Sequence, residues 1–176
     1  MLVALSGDIE VNPGYHHVKD LKDIKGLKIA HLNVQSVRNK VDLLRLEVTN
    51  DKVFDILTLS ETWLNDSISD MEIQMPGYCV IRKDRSGNRL GGGTIVYIRD
   101  GLPFSICNDL NTDDNECLWI QISRPKCKPI FLCSVYRPPN SDLARFISSM
   151  ENSIANIGPK NCDILLLGDF NVDFTP

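Results

Sequence analysis

Four short apolar runs in this chain each stop abruptly on a polar residue, and that pattern constrains the fold more than any other feature. LKIAHL closes on Asn33, DILTLS on Glu61, FLCSV on Tyr136, and ILLLG on Asp169 with Asn171 close behind. Runs of this length, rich in Ile, Leu and Val, predict strands buried on at least one face. In LKIAHLN, alternation places Leu27, Ile29, His31 and Asn33 on one side of the strand. CDILLLGDFN has the near-continuous apolar character of a central strand. Ligands of α/β sheets collect beyond strand ends, so the residues closing these runs are candidates for one shared cleft.

Helical patterns lie between the runs. Val37, Val41, Leu44 and Val48 predict an amphipathic helix after the first strand. Leu143, Phe146, Ile147, Met150, Ile154 and Ile157 predict a second, starting near Ser141 and stopped by Gly158-Pro159. PGYCVIRKD and GGTIVYIRD read as strands joined by the turn-rich RSGNRLGGG, and CLWIQISR and PIFLCSVYRP as a pair around a Pro-Lys-Cys-Lys-Pro turn. This mixture excludes a helical bundle and an all-parallel doubly wound sheet. It predicts two packed mixed sheets with helices outside. Residues 1–26 lack apolar periodicity and are expected to be a leader and linker, with the domain over residues 27–176.

Composition narrows the class. The chain has 176 residues, 43% hydrophobic and 24% charged, enough for one folded domain with a sizeable core. A formal net charge of -4 argues against a broadly basic nucleic-acid-coating surface, but not against basic contacts confined to loops. The 6 cysteines form no CxxC pair, so zinc is not expected, and reduced, buried thiols of an intracellular protein, nuclear or cytoplasmic, are the reading. No secretory signal is visible, and no run approaches the ~18 to 20 apolar residues needed to span a bilayer.

Each strand-end residue has an ordinary reading by itself. Glu61 is a possible helix cap, Asp169 and Asn33 turn formers, and Tyr136 a core aromatic with a wet hydroxyl. Taken together they suit a divalent cation and a phosphate, since hard oxygen donors with one or two carboxylates match Mg²⁺. The ordered strings LKIAHLNVQSVRNK, DILTLSETWL, GYCVIRKDRSGNRLGGGTIVYIRDGL, VYRPPN and ILLLGDFN resemble the endonuclease/exonuclease/phosphatase superfamily. The resemblance is nearest to the apurinic-endonuclease-like domain of non-LTR (LINE-type) retrotransposons. It implies a four-layer αββα sandwich and a Mg²⁺ or Mn²⁺ site held by Glu61 with Asn33 nearby. It also implies that Asp169 orients or deprotonates water, while Asn171 and Tyr136 contact the scissile phosphate. The implied reaction is hydrolytic nicking of DNA, exposing a 3′-hydroxyl for a reverse transcriptase that follows. A non-catalytic binding remnant and a phosphatase of the same superfamily are the alternatives.

Some residues depart from that pattern. Gln35 stands where apurinic-repair members carry an aspartate, which favours the retrotransposon branch. The superfamily's later Asp-Asn segment and terminal Asp-His pair do not occur before Pro176, so the expectation is a partial domain lacking the final strands, with impaired or absent cleavage. His31 is read as a core histidine, and neither it nor His16 or His17 is given a catalytic role. Near the amino end, Asp8, Glu10, Asn12, Pro13 and Gly14 resemble a 2A-like ribosome-skipping signal, with Tyr15 in place of its final proline, so an inactive copy is expected. Gly91-Gly92-Gly93 lacks the context of a phosphate loop and is read as part of a hairpin. Trp63 and Trp119 are read as core or rim aromatics rather than stacking platforms.

Overall fold

A computed structural model describes residues 3–8, 25–51, 54–86, 91–111, 116–159 and 161–172. In the first sheet, β1 (Val3–Asp8), β2 (Lys28–Asn33), β3 (Ile56–Ser60), β4 (Tyr78–Lys83) and β5 (Thr94–Arg99) lie in the order β1-β2-β3-β5-β4. β1, β2 and β3 are parallel, and β5 runs antiparallel to both β3 and β4. The second sheet has the order β6-β7-β8-β9, built from β6 (Phe104–Ile106), β7 (Glu116–Ile122), β8 (Ile130–Tyr136) and β9 (Asp163–Asp169). Its hairpins are antiparallel, and β9 joins β8 in parallel.

Three apolar layers hold these sheets and the helices α1 (Val41–Asp51), α2 (Asp70–Ile73) and α3 (Leu143–Ile157) together. Ile29, Ile56, Val96 and Ile98 of the first sheet pack against Leu118, Ile120, Ile130 and Leu132 of the second. On the outer face of the first sheet, Val41, Leu44 and Val48 of α1 meet Leu57, Leu59 and Tyr97. On the outer face of the second, Phe146, Met150 and Ile157 of α3 cover Trp119, Phe131, Cys133 and Val135. The αββα sandwich expected from the sequence is therefore present, because inward and outward residues alternate along each strand and both faces find a partner.

Several details differ from the sequence reading. Val37 is buried with the α1 stripe but precedes the helix, in a turn where Lys40 N–H bonds to the Val37 carbonyl. The wider apolar face expected of α3 is only partly covered, with Leu143, Ile147 and Ile154 exposed. Asp142 caps α3 by accepting the Arg145 N–H, and Gly158 at φ 70 ends it. Inside the segment read as leader, Val3–Asp8 pairs in parallel with β2. The remainder of the 2A-like string beyond Asp8, and His16 and His17, lie outside the described residues. All described cysteines are free, but only Cys117 and Cys133 are buried, and Cys79 and Cys127 are exposed. No described helix is long and apolar enough to cross a membrane.

Candidate active site

The layer between the sheets changes character along its length. Towards the carboxy ends of the strands, the parity that gives Ile29, Ile56, Ile130 and Leu165 continues through His31, Thr58, Leu132 and Leu167. It then reaches Asn33, Ser60, Ser134, Tyr136 and Asp169. Apolar packing thus gives way to a polar mouth without any break in strand geometry. The parallel pairs β2–β3 and β8–β9 present their carboxy ends at the same edge.

Asn33 is the stitch across that edge. Its Nδ2 donates to Glu61 Oε1 at 3.1 Å and to Asp169 Oδ2 at 2.9 Å. One amide thereby joins carboxylates carried by opposite sheets. Asn33 Oδ1 accepts the Gln35 N–H at 3.2 Å, so the oxygen faces the loop while the nitrogen faces the cleft. Holding a metal through that oxygen requires the side chain to turn.

Tyr136 is buried beside the same carboxylate. Burial, reinforced by the negative charge of Glu61, pushes its phenol up to about 12 against the opposing effect of Arg85. Asn171 meets the group differently. Its backbone N–H donates to Asp169 Oδ1 at 3.1 Å, whereas its side-chain Nδ2 donates to the Arg137 carbonyl at 2.8 Å. Asn33, Glu61 and Asp169 are therefore linked through side chains, Tyr136 lies beside them under Arg85, and Asn171 joins the group through its backbone.

His31 lies just beneath. Nδ1 pairs with Thr58 Oγ1 at 2.9 Å and Nε2 with Ser60 Oγ at 3.3 Å. Burial lowers its pKa to about 4 despite the opposing pull of Asp169, so the ring is neutral at physiological pH. A buried, satisfied core histidine is what the apolar strand context leads one to expect.

Supporting residues that do not close an apolar run were not visible in the sequence. Buried Arg137 holds the segment after β9: its Nε donates to the Phe170 carbonyl at 2.7 Å and its guanidinium also reaches the Asn171 carbonyl. Its place directly after Tyr136 in VYRPPN is the one available hint. Glu116 accepts the Gly93 N–H at 2.6 Å and pairs with Arg85, whose guanidinium lies 5.6 Å from the Tyr136 ring centroid. The glycine run makes this fit possible: a Cβ on Gly92 would lie 2.3 Å from Glu116 Oε2, and one on Gly93 2.6 Å from Thr62 Oγ1. Backbone bonds from Trp63 to Gly92 and from Thr62 to Gly93 then tie the run to the Glu61 segment. Close packing, rather than phosphate cradling, explains these glycines.

Backbone strain concentrates here. Gln35, Ser36, Glu61, Trp63 and Asn171 all have positive φ, and among the described residues the only other non-glycine case is Lys126 in the β7–β8 turn. Such conformations cost roughly 1–3 kcal/mol each and persist where surrounding contacts over-determine them.

The donor chemistry at the mouth fits a hard divalent cation. Glu61 and Asp169 bring like charges together, with only an amide nitrogen between them. Among the described residues no group of three or more His, Cys, Asp or Glu side chains gathers as a ready-made cage. Mg²⁺ commonly takes one or two carboxylates and completes its shell with water and phosphate oxygens, so this sparse set suffices.

Residues 30–176 match the model of the endonuclease/exonuclease/phosphatase family, and the chain belongs to that family. Its fold is similar to the endonuclease domain of TRAS1, a telomere-specific non-LTR retrotransposon, at TM-score 0.61 and 20% identity over 82% of this chain and 59% of that one. The AP endonuclease LMAP from Leishmania major aligns at TM-score 0.64 and 21% identity, covering 81% of this chain and 54% of that chain. The catalytic domain of APE2 from Xenopus laevis aligns at TM-score 0.57 and 16% identity, covering 84% and 59%. The chain thus spans a little over half the length of these structures. No curated protein matches it in sequence.

Proposed function

We propose that this chain carries a divalent-metal-dependent phosphodiesterase site that acts on DNA, of the nicking kind used by non-LTR retrotransposons. The observation that carries this reading is the Asn33 bridge, which brings Glu61 and Asp169 together beside Tyr136 at the mouth between the sheets. Glu61 would hold the metal, with Asn33 alongside. Bound there, Mg²⁺ or Mn²⁺ would offset negative charge on the phosphoryl oxygens. Asp169, its other oxygen fixed by the Asn171 N–H, is placed to orient a water and take its proton. Tyr136, kept protonated by its surroundings, offers the phosphate a neutral O–H donor, and Asn171 would contact the same group on turning its amide away from the Arg137 carbonyl. The likeness to a retrotransposon endonuclease and to apurinic endonucleases supports DNA as substrate, with the nicked strand's 3′-hydroxyl available to a reverse transcriptase.

The test combines Mn²⁺ titration with plasmid nicking. The expected result is one saturable Mn²⁺ site, weakened at least ~10-fold by Glu61→Gln, together with at most weak Mg²⁺-dependent nicking that the same substitution removes. Mn²⁺ binding indifferent to Glu61→Gln would overturn the metal assignment. Metal and DNA binding with no nicking at any enzyme concentration would favour a non-catalytic binding role.

A further inference from the structure

The chain has 2 tryptophans, and they are placed in opposite ways. Trp119 is 0% exposed in the second sheet, whereas Trp63, next to the Glu61 segment, is 47% exposed. Trp63 is nevertheless held in place. Its backbone sits at φ 55, its N–H bonds to the Gly92 carbonyl at 2.9 Å, and its indole Nε1 donates to Glu61 Oε2 at 3.3 Å. A Cβ on Gly91 would lie 3.6 Å from both Trp63 Nε1 and Arg85 Nη1, so bare glycine backbone separates the indole from the guanidinium. Arg85 in turn lies over Tyr136. Trp63, Arg85 and Tyr136 therefore form a row of aromatic, cation and aromatic along one wall of the cleft.

A large apolar ring left in water is unfavourable unless something covers it, and here its orientation is set by the carboxylate at the centre of the site. A fixed aromatic surface next to a phosphate-directed cluster, with an arginine between, matches the way proteins stack nucleobases of unpaired strands. We propose that Trp63 is a stacking platform for a nucleobase adjacent to the scissile phosphate, and that it favours strands whose bases leave the stack easily. Single strands, and pyrimidine–purine steps within duplexes, meet that requirement, whereas stiff A-tracts do not. This inference rests on the phosphodiesterase reading above.

Because Trp119 is buried, a change in solvent-exposed tryptophan emission reports on Trp63. The whole chain is titrated with oligothymidylate and with an A-tract duplex of equal length in Mg²⁺, and separately with Mn²⁺, a paramagnetic quencher. Oligothymidylate is expected to quench Trp63 and to bind several-fold more tightly than the A-tract. Trp63→Ala should weaken oligothymidylate binding about 10-fold, and Trp63→Phe, which keeps a ring, considerably less. Retained buried emission from Trp119 shows that each variant is folded. Failure to bind oligothymidylate, binding without quenching of Trp63, or unchanged affinity in Trp63→Ala would each overturn the platform. Mn²⁺ that leaves Trp63 unquenched would instead overturn the metal site at Glu61, so the two failures are told apart.

Discussion

His31 occupies the inward position before Asn33, where packing gives way to chemistry. Its neutral ring bridges Thr58 and Ser60, and the folded protein resists charging it. The unfolded chain takes up that proton near the ordinary imidazole value of 6.5, whereas the folded chain does so only near about 4. Between these values the unfolded state binds more protons, so the contribution is intact above about pH 6.5 and falls as pH drops towards 4. The expected loss is roughly 3 kcal/mol across that window. Urea unfolding of the wild type and His31→Gln at several pH values between 7 and 4 measures it. The difference between the two proteins should shrink as pH falls, and parallel profiles would refute this account. At this scale the sequence was informative where strand parity governs: Asn33, Glu61, Tyr136 and Asp169 announce themselves by ending apolar runs. Trp63, Arg85, Glu116 and Arg137 did not: loops place Trp63, Arg85 and Arg137, and Glu116 opens β7 instead of closing an apolar run.

β9 delivers Asp169, and Gly168 sets how closely it can do so. A Cβ at Gly168 would lie 1.9 Å from the Val135 carbonyl oxygen, a backbone atom of the neighbouring strand with nowhere to retreat. Gly168→Ala should therefore push β9 away from β8 just before Asp169. The expected cost exceeds ~1 kcal/mol in urea unfolding, with weakened Mn²⁺ binding because Asp169 moves with the strand. Wild-type stability together with unchanged Mn²⁺ affinity would count against it. The elements themselves were mostly readable. Those that carry long apolar stripes or alternation, such as β3, β8 and α3, follow directly from pattern. The short ones do not: β6 spans Phe104–Ile106 and α2 spans Asp70–Ile73, too few residues for a period to emerge. Val37 misleads because its spacing continues the helical stripe, while positive φ at Gln35 and Ser36 keeps it in a turn.

At the scale of the molecule, two mixed sheets back to back were predictable because both parities of each central strand are apolar and each demands a cover. The register between the sheets was not, since no local signal states which strand ends will meet. Asn33 is one of the links that make that meeting, its two hydrogen bonds spanning from Glu61 in one half to Asp169 in the other, alongside Glu116, which holds Gly93 and Arg85. A cation held at Glu61 with Asn33 alongside would therefore be a clasp as well as a reagent, since Asn33 also holds Asp169 of the other half. Saturating Mn²⁺ should raise the melting temperature of the wild type by several degrees, through preferential binding to the closed sandwich. In Asn33→Ala the same ion should give a smaller rise, because the variant loses both the amide beside the metal and the link to Asp169. An equal or larger rise would mean that the halves are held independently of what sits between them.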